Sequence, residues 1–135
     1  MQGRTLELQD VWSILRRLGR EGMRARVRRD NDFARHLAAR VRESEALELL
    51  GEPVLSICCF RYVGEAIEDL DGFNAALFRR LVQETPYLPS STVVNGLFAI
   101  RPCFINPRTE QVHVDGLVEA VVAIGDELRV AGAMA

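Results

Sequence analysis

The amino-acid sequence predicts an α+β fold, in which a small, mostly antiparallel sheet of about three strands is covered by helices. Apolar residues at helical spacing mark four segments, and three short runs rich in β-branched and aromatic residues lie after the second of them. The dipeptide Asn95-Gly96 joins two of these runs and favours a tight hairpin turn. A few strands joined by turns, together with helices long enough to cover them, are typical of the α+β class.

Two long helices are predicted before the first strand. The first runs over about residues 6–18 and would end at Gly19, and the second runs over about residues 21–42. We expect the apolar stripe of the second helix to pack in a core rather than bind a cofactor. The stripes consist of Leu8, Val11, Trp12, Leu15 and Leu18, and of Met23, Val27, Phe33 (out of step by one), Leu37 and Val41.

The remaining elements form a second unit. Residues 54–63 read as a buried strand, and residues 69–84 as a helix that Asp69 or Asp71 would cap. Strands over 92–95 and 97–106 and a helix over about 114–130 complete the order. Residues 46–135 are thus predicted to form a small α+β domain. The two helices predicted in residues 1–45 are too long to be covered by so small a sheet, so we expect them to dock on another chain.

Arg101 is the candidate functional residue. It lies in the predicted strand 97–106, which is apolar on both faces apart from this residue. A guanidinium does not lose its proton, so burying it requires an anionic partner. That partner is either a carboxylate of the protein or a carboxylate of a ligand, and Arg61 is the main rival for it. Pro102 cannot donate to a ladder, so the strand is expected to lie at an edge there or to bulge.

The basic residues are unevenly distributed and are all arginine. The chain has 17 arginines, no lysine and a net charge of −2, and residues 1–45 carry +4 against −6 for the rest. A basic half is compatible with nucleic-acid binding. We favour a solvated helix face, because acidic residues are interleaved with the arginines.

The sequence contains no recognisable catalytic motif. It has no glycine-rich phosphate loop, no CxxC pair and no cluster of its two histidines, so we expect no metal site. Three cysteines are an odd number, and the adjacent Cys58 and Cys59 point to opposite faces of a strand. With neither a secretory signal nor a membrane span visible, a reduced cytoplasmic setting is expected.

Four segments in order resemble the C-terminal end of the group II pyridoxal-phosphate-dependent amino acid decarboxylases, which have the fold type I, aspartate-aminotransferase-like architecture. The similarity extends over about residues 6–128. Its most specific pieces are Phe60-Arg61 and the series Ser91-Thr92, Gly96, Arg101, Asn106 and Thr109. The four segments are VWSILRRLGREGMRARV, VLSICCFRY, LPSSTVVNGLFAIRPCFINPRT and VDGLVEAVVAIGDEL.

The resemblance implies the small C-terminal domain of such an enzyme, preceded by helices that lead out of a large cofactor-binding domain. In the family, the lysine that binds the cofactor, the aspartate that pairs with its ring nitrogen and the stacking histidine all lie upstream of this region. By the resemblance, Arg101 would bind the α-carboxylate of the amino acid substrate, and Arg61 would be structural, held by an acidic neighbour. Thr85-Pro86 departs from the glycine that relatives often carry there.

A chain without lysine cannot bind pyridoxal phosphate covalently, so it is not an enzyme of this family by itself. We therefore expect the small subunit of a split, heteromeric enzyme, in which a partner chain binds the cofactor, assembled as a dimer of heterodimers. A non-catalytic regulatory or stabilising subunit is the alternative. A piece of a longer protein is a third interpretation and nucleic-acid binding a distant fourth, and no contact with a membrane is expected.

Overall fold

The computed structural model describes residues 8–104, 106 and 108–134, and it confirms the α+β class. A four-stranded antiparallel sheet has the order β1-β2-β4-β3. The prediction of about three strands was therefore one too few. The elements in chain order are α1 (Leu8–Glu43), β1 (Leu47–Leu49), β2 (Phe60–Tyr62), α2 (Leu70–Glu84), β3 (Ser90–Val94), β4 (Leu97–Arg101) and α3 (Gln111–Met134).

The two predicted N-terminal helices meet at a kink at Gly19, where the backbone is not helical, and we number them together as α1. This residue has φ 65° and ψ −178°, a conformation that is almost restricted to glycine. Residues 6 and 7 of the first prediction, and Ile105 of the predicted strand 97–106, lie outside the described residues. So do the side chains of Leu8, Val11, Leu15 and Leu18.

Among the side chains of α1 that the structure describes, the buried ones all lie between Asp30 and Val41. Leu37 and Val41 are buried as predicted, together with Ala34 and Ala38. Val27, which was predicted to be a core residue, is 48% exposed. The prediction was wrong there because Val27 precedes the buried stretch of α1, which begins at Asp30 among the described side chains.

The predicted strand 54–63 is mostly a tight loop, and only β2 at its end is a strand. Val54 and Ile57 exchange both backbone hydrogen bonds, at 3.0 Å each, so this segment closes on itself. β1 was not predicted, because a strand of three residues is too short to show alternation.

The hairpin of β3 and β4 confirms the predicted turn. Asn95 and Gly96 both have positive φ, 51° and 81°, as a two-residue turn of this kind requires. β4 lies between β2 and β3, so it is not at an edge. Pro102 follows its last residue and accepts a hydrogen bond from the Cys58 N–H (3.3 Å). The predicted edge or bulge is absent there, because the hydrogen bond with Cys58 uses the carbonyl oxygen of the proline and requires no N–H from it.

The helices cover one face of the sheet. Phe60, Tyr62 and Ile100 are fully buried on that face, among core residues of α1, α2 and α3. Asn74 of α2 binds both backbone groups of Tyr62, at 2.8 and 2.9 Å. Among residues 8–134, no helix is long and apolar enough to cross a membrane.

Candidate functional site

The face of the sheet that the helices leave uncovered carries the charged strand residues. Because side chains alternate along a strand, the residues between the buried positions of β2 and β4 point to this face. We call it the open face. It carries Glu48, Cys59, Arg61, Arg101 and Ser90, together with Ala99, which is fully buried between its neighbours in the sheet.

Arg101 ends β4 and lies directly opposite Ser90 of β3. Its Nε donates a hydrogen bond to Ser90 Oγ (3.0 Å), and the same hydroxyl donates to the Arg101 carbonyl oxygen (3.0 Å). The serine thereby fixes the base of the guanidinium. The two terminal nitrogens have no hydrogen-bond or ion-pair partner among the described residues, so they are available to an anion.

Arg61 has a protein partner on the same face. Its Nε donates to Glu48 Oε2 (2.8 Å), the residue directly opposite it on β1, and its side chain is only 12% exposed. The prediction that an acidic neighbour holds Arg61 is confirmed. The rivalry between the two arginines is therefore resolved, because the charge of Arg61 is already balanced.

Cys59 is the neighbour of Arg101 on β2. Phe60 pairs with Ile100 and Ile57 bridges to Cys103, so the same register places Cys59 opposite Arg101. Burial raises the pKa of the Cys59 thiol, while the nearby Arg101 guanidinium lowers it in part. The net shift is upward, so the group is a neutral thiol at pH 7 and not an activated nucleophile.

Two residues of the motif series support the loop after β4. The Asn106 side chain accepts a hydrogen bond from the Arg108 N–H (2.9 Å), and the Arg29 side chain of α1 donates to the Thr109 carbonyl oxygen. Phe33 of α1 and Phe104 contact each other through their rings, with centroids 6.0 Å apart. These contacts tie the loop that follows Arg101 to α1.

The histidines are occupied elsewhere. His36 Nε2 lies 2.7 Å from Asp115 Oδ1 and links α1 to α3, and His113 Nδ1 accepts the Glu110 N–H (2.9 Å). Within the part of the chain that the structure describes, no group of three or more histidine, cysteine or acidic residues is placed to hold a metal ion. The open face thus presents one guanidinium, that of Arg101, whose terminal nitrogens have no partner among the described residues.

Sequence reasoning identified Arg101 and Arg61 but missed Ser90. A signal for it was available. A two-residue turn at Asn95-Gly96 pairs Val94 with Leu97, and counting four positions outward from that pair brings Ser90 opposite Arg101.

Comparison with known proteins agrees with this architecture. Residues 2–63 match the model of the pyridoxal-dependent decarboxylase conserved domain. The chain is 26% identical to the aromatic-L-amino-acid decarboxylase of Sus scrofa over 129 residues, which cover 96% of this chain and 26% of the relative. It is 31% identical to a tyrosine decarboxylase of Oryza sativa subsp. japonica over 118 residues, which cover 77% of this chain and 22% of the relative.

Solved structures show the same fold. The structure of the Oryza sativa enzyme TDC with PLP superposes with a TM-score of 0.80 at 24% identity, covering 88% of this chain and 26% of that one. The chain therefore spans about a quarter of the length of the proteins it matches. It has no lysine, so it offers no covalent anchor for pyridoxal phosphate.

Proposed function

Because the chain is homologous to the group II pyridoxal-phosphate-dependent amino acid decarboxylases, we propose that it is the small subunit of a split, heteromeric enzyme of that kind. A large subunit on a separate chain binds pyridoxal phosphate and supplies the lysine. The assembly is a dimer of heterodimers, and its substrate is an amino acid. The reaction is decarboxylation or a related carbanion reaction. We also place it in the cytoplasm, a setting compatible with three free cysteines.

The observation that carries the proposal is the state of Arg101. Its Nε is held by Ser90, and its terminal nitrogens have no partner among the described residues. A guanidinium in this state is ready to bind a carboxylate through two parallel hydrogen bonds. Such a pair fixes the plane of the carboxylate as well as its position, which is what orienting the scissile bond of an amino acid requires.

The test is co-expression with a candidate large subunit, a chain that carries the cofactor lysine and lacks a counterpart of residues 6–128. We expect a stable complex that retains pyridoxal phosphate, seen by its absorbance. Arg101→Ala should raise KM for the amino acid at least about 100-fold, because a charge-assisted bidentate pair is lost. Arg79→Ala, an exposed arginine of α2, is the matched control and should leave KM unchanged.

Two outcomes would contradict the proposal: no complex between the two chains, or a complex whose KM does not change with Arg101→Ala. A large chain that is fully active alone, and whose activity this chain merely modulates, would favour the regulatory or stabilising alternative. Measuring the stoichiometry of the purified complex together with its activity separates these results.

A further inference from the structure

A second surface, which the proposed function does not use, lies on α1 and begins at the kink. A groove of about 650 Å³ runs along this helix, and we call it the α1 groove. It is lined by Gly19, Arg20, Met23, Arg24, Val27 and Arg28.

The floor of the α1 groove is apolar and unpartnered. Met23 and Val27 are one turn apart on the same side of the helix, and Val27 is 48% exposed. The buried stretch of α1 begins three residues later, at Asp30. Among the described residues, no other element lines this groove, so its apolar floor is open to a partner.

One wall of the groove is strongly basic. Arg20, Arg24 and Arg28 are spaced four residues apart, which aligns them along one side of the helix. Arg24 makes one exposed contact with Glu21 at 3.4 Å. Arg20 and Arg28 have no hydrogen-bond or ion-pair partner among the described residues. The groove therefore combines an apolar stripe with a row of fixed positive charges.

We infer that the α1 groove binds an acidic amphipathic helix of the large subunit, and this inference rests on the proposed function for the identity of that partner. Glutamates spaced four residues apart on such a helix match the spacing of the arginine row. Apolar residues on its neighbouring positions cover Met23 and Val27. Arginine suits this role because its guanidinium pairs with carboxylates through two hydrogen bonds.

The apolar floor favours a protein helix over a nucleic acid. A phosphate backbone would neutralise the arginine row but would leave Met23 and Val27 exposed to water.

The experiment uses a double charge reversal, Arg20→Glu with Arg28→Glu, in the full chain. The control is Arg79→Glu with Arg129→Glu, two exposed arginines of α2 and α3 that do not line the groove. Each is titrated with a labelled synthetic helix of 14 residues, bearing glutamate at i and i+4 and leucine at i+3 and i+7, and with the large subunit. We expect at least about tenfold weaker binding of both for the groove variant, because two charge pairs are lost, and no change for the control.

A charge-exchanged peptide with lysine in place of glutamate supplies a rescue. It should bind the groove variant more tightly than it binds the unmodified chain, a result that misfolding cannot produce. The inference is overturned if the large subunit binds the groove variant as tightly as the unmodified chain, an outcome that leaves the proposed function intact. It is also overturned if a 20-base-pair DNA duplex, but not the acidic peptide, binds in a groove-dependent way. Absence of any complex between the unmodified chain and the large subunit would instead defeat the proposed function, while the peptide titration still decides whether the groove takes an acidic helix.

Discussion

The two faces of the sheet differ in how their side chains are satisfied. On the covered face, Phe60, Tyr62 and Ile100 are fully buried against the helices, and the polar groups there bind within the protein. On the open face, Arg61 has a protein carboxylate, while the terminal nitrogens of Arg101 have no partner among the described residues. One face therefore accounts for the stability of the domain, and the other leaves a binding group available. Substitutions on the two faces should separate these roles.

The largest effect is expected from Phe60→Ala on the covered face. Removing a fully buried phenyl ring leaves a cavity and should lower the free energy of unfolding by about 3–5 kcal/mol. Urea denaturation followed by circular dichroism measures it. The control is Thr92→Ala on the uncovered side of β3, which should change stability by less than about 1 kcal/mol. Equal losses for both variants would contradict the distinction between the faces.

Asn74→Ala should have the next largest effect and lower the free energy of unfolding by about 2–3 kcal/mol. The Asn74 side chain is fully buried and binds the N–H and the carbonyl oxygen of Tyr62. Its removal leaves two buried backbone groups of β2 unsatisfied. Gln83→Ala, at an exposed position of the same helix, is expected to stay within about 0.5 kcal/mol of the unmodified chain. Thermal unfolding of the two variants side by side tests this prediction.

Arg61→Ala and Arg101→Ala should differ in their effect on stability. We expect Arg61→Ala to lower the free energy of unfolding by about 1 kcal/mol, because it breaks the pair with Glu48. Arg101→Ala should lower it by about 0.5 kcal/mol or less. A double-mutant cycle between Arg61 and Glu48 gives the coupling energy of the pair. If Arg101→Ala proved the more destabilising of the two, Arg101 would be a structural residue and the comparison would fail.

The smallest effect concerns a buried charge on the helix side. Asp30 of α1 is 8% exposed, and its Oδ1 has no hydrogen-bond partner among the described residues. Burial raises the pKa of its carboxyl group above the ordinary 3.8. The positive charges of Arg26 and Arg29 oppose this shift only in part. Between 3.8 and the raised pKa, the folded state binds more protons than the unfolded state, so stability falls as the pH rises.

Asp30→Asn removes this titration. The stability of the variant relative to the unmodified chain should therefore increase as the pH rises from below 3.8 through the raised pKa of Asp30, and then remain constant. Chemical denaturation at several pH values measures the difference. A difference that is independent of pH, or that changes in the opposite direction, would show that the Asp30 carboxylate is favourably paired in the folded state.

The parts of the fold that could be predicted from sequence are those decided by neighbours in the chain. The helix predicted over 69–84 is observed as Leu70–Glu84, with Asp69 capping it through the Gly72 N–H (3.0 Å). The Asn95-Gly96 turn is likewise local. β1 could not be predicted, because its three residues become a strand only through pairing with β2. The loop at 54–57 was missed since its apolar composition is that of a strand.

The same division applies to the candidate site. A charged residue in an apolar strand identified Arg101, and alternation placed it on a face. Which of the two arginines already had an acidic partner was not readable from sequence, because Glu48 lies on the strand that local patterns did not reveal. Ser90 was accessible through the hairpin register. Long-range pairing, rather than local propensity, therefore decides which arginine is left without an acidic partner among the described residues.

Because α1 kinks at Gly19, a substitution at this residue would change the direction of the part of α1 that precedes it. Apart from its chain neighbours and the backbone of its own helix, no atom of the described residues lies within 4 Å of the position that a Cβ would take there, so the backbone torsion is what opposes a larger residue. Trp12 lies seven residues before the kink, about 10 Å along the helix axis at 1.5 Å per residue. Alanine at position 19 favours a straight helix, and straightening would swing the indole ring of Trp12 through an arc set by that distance. A single methyl group would thus redirect an aromatic side chain that it never touches.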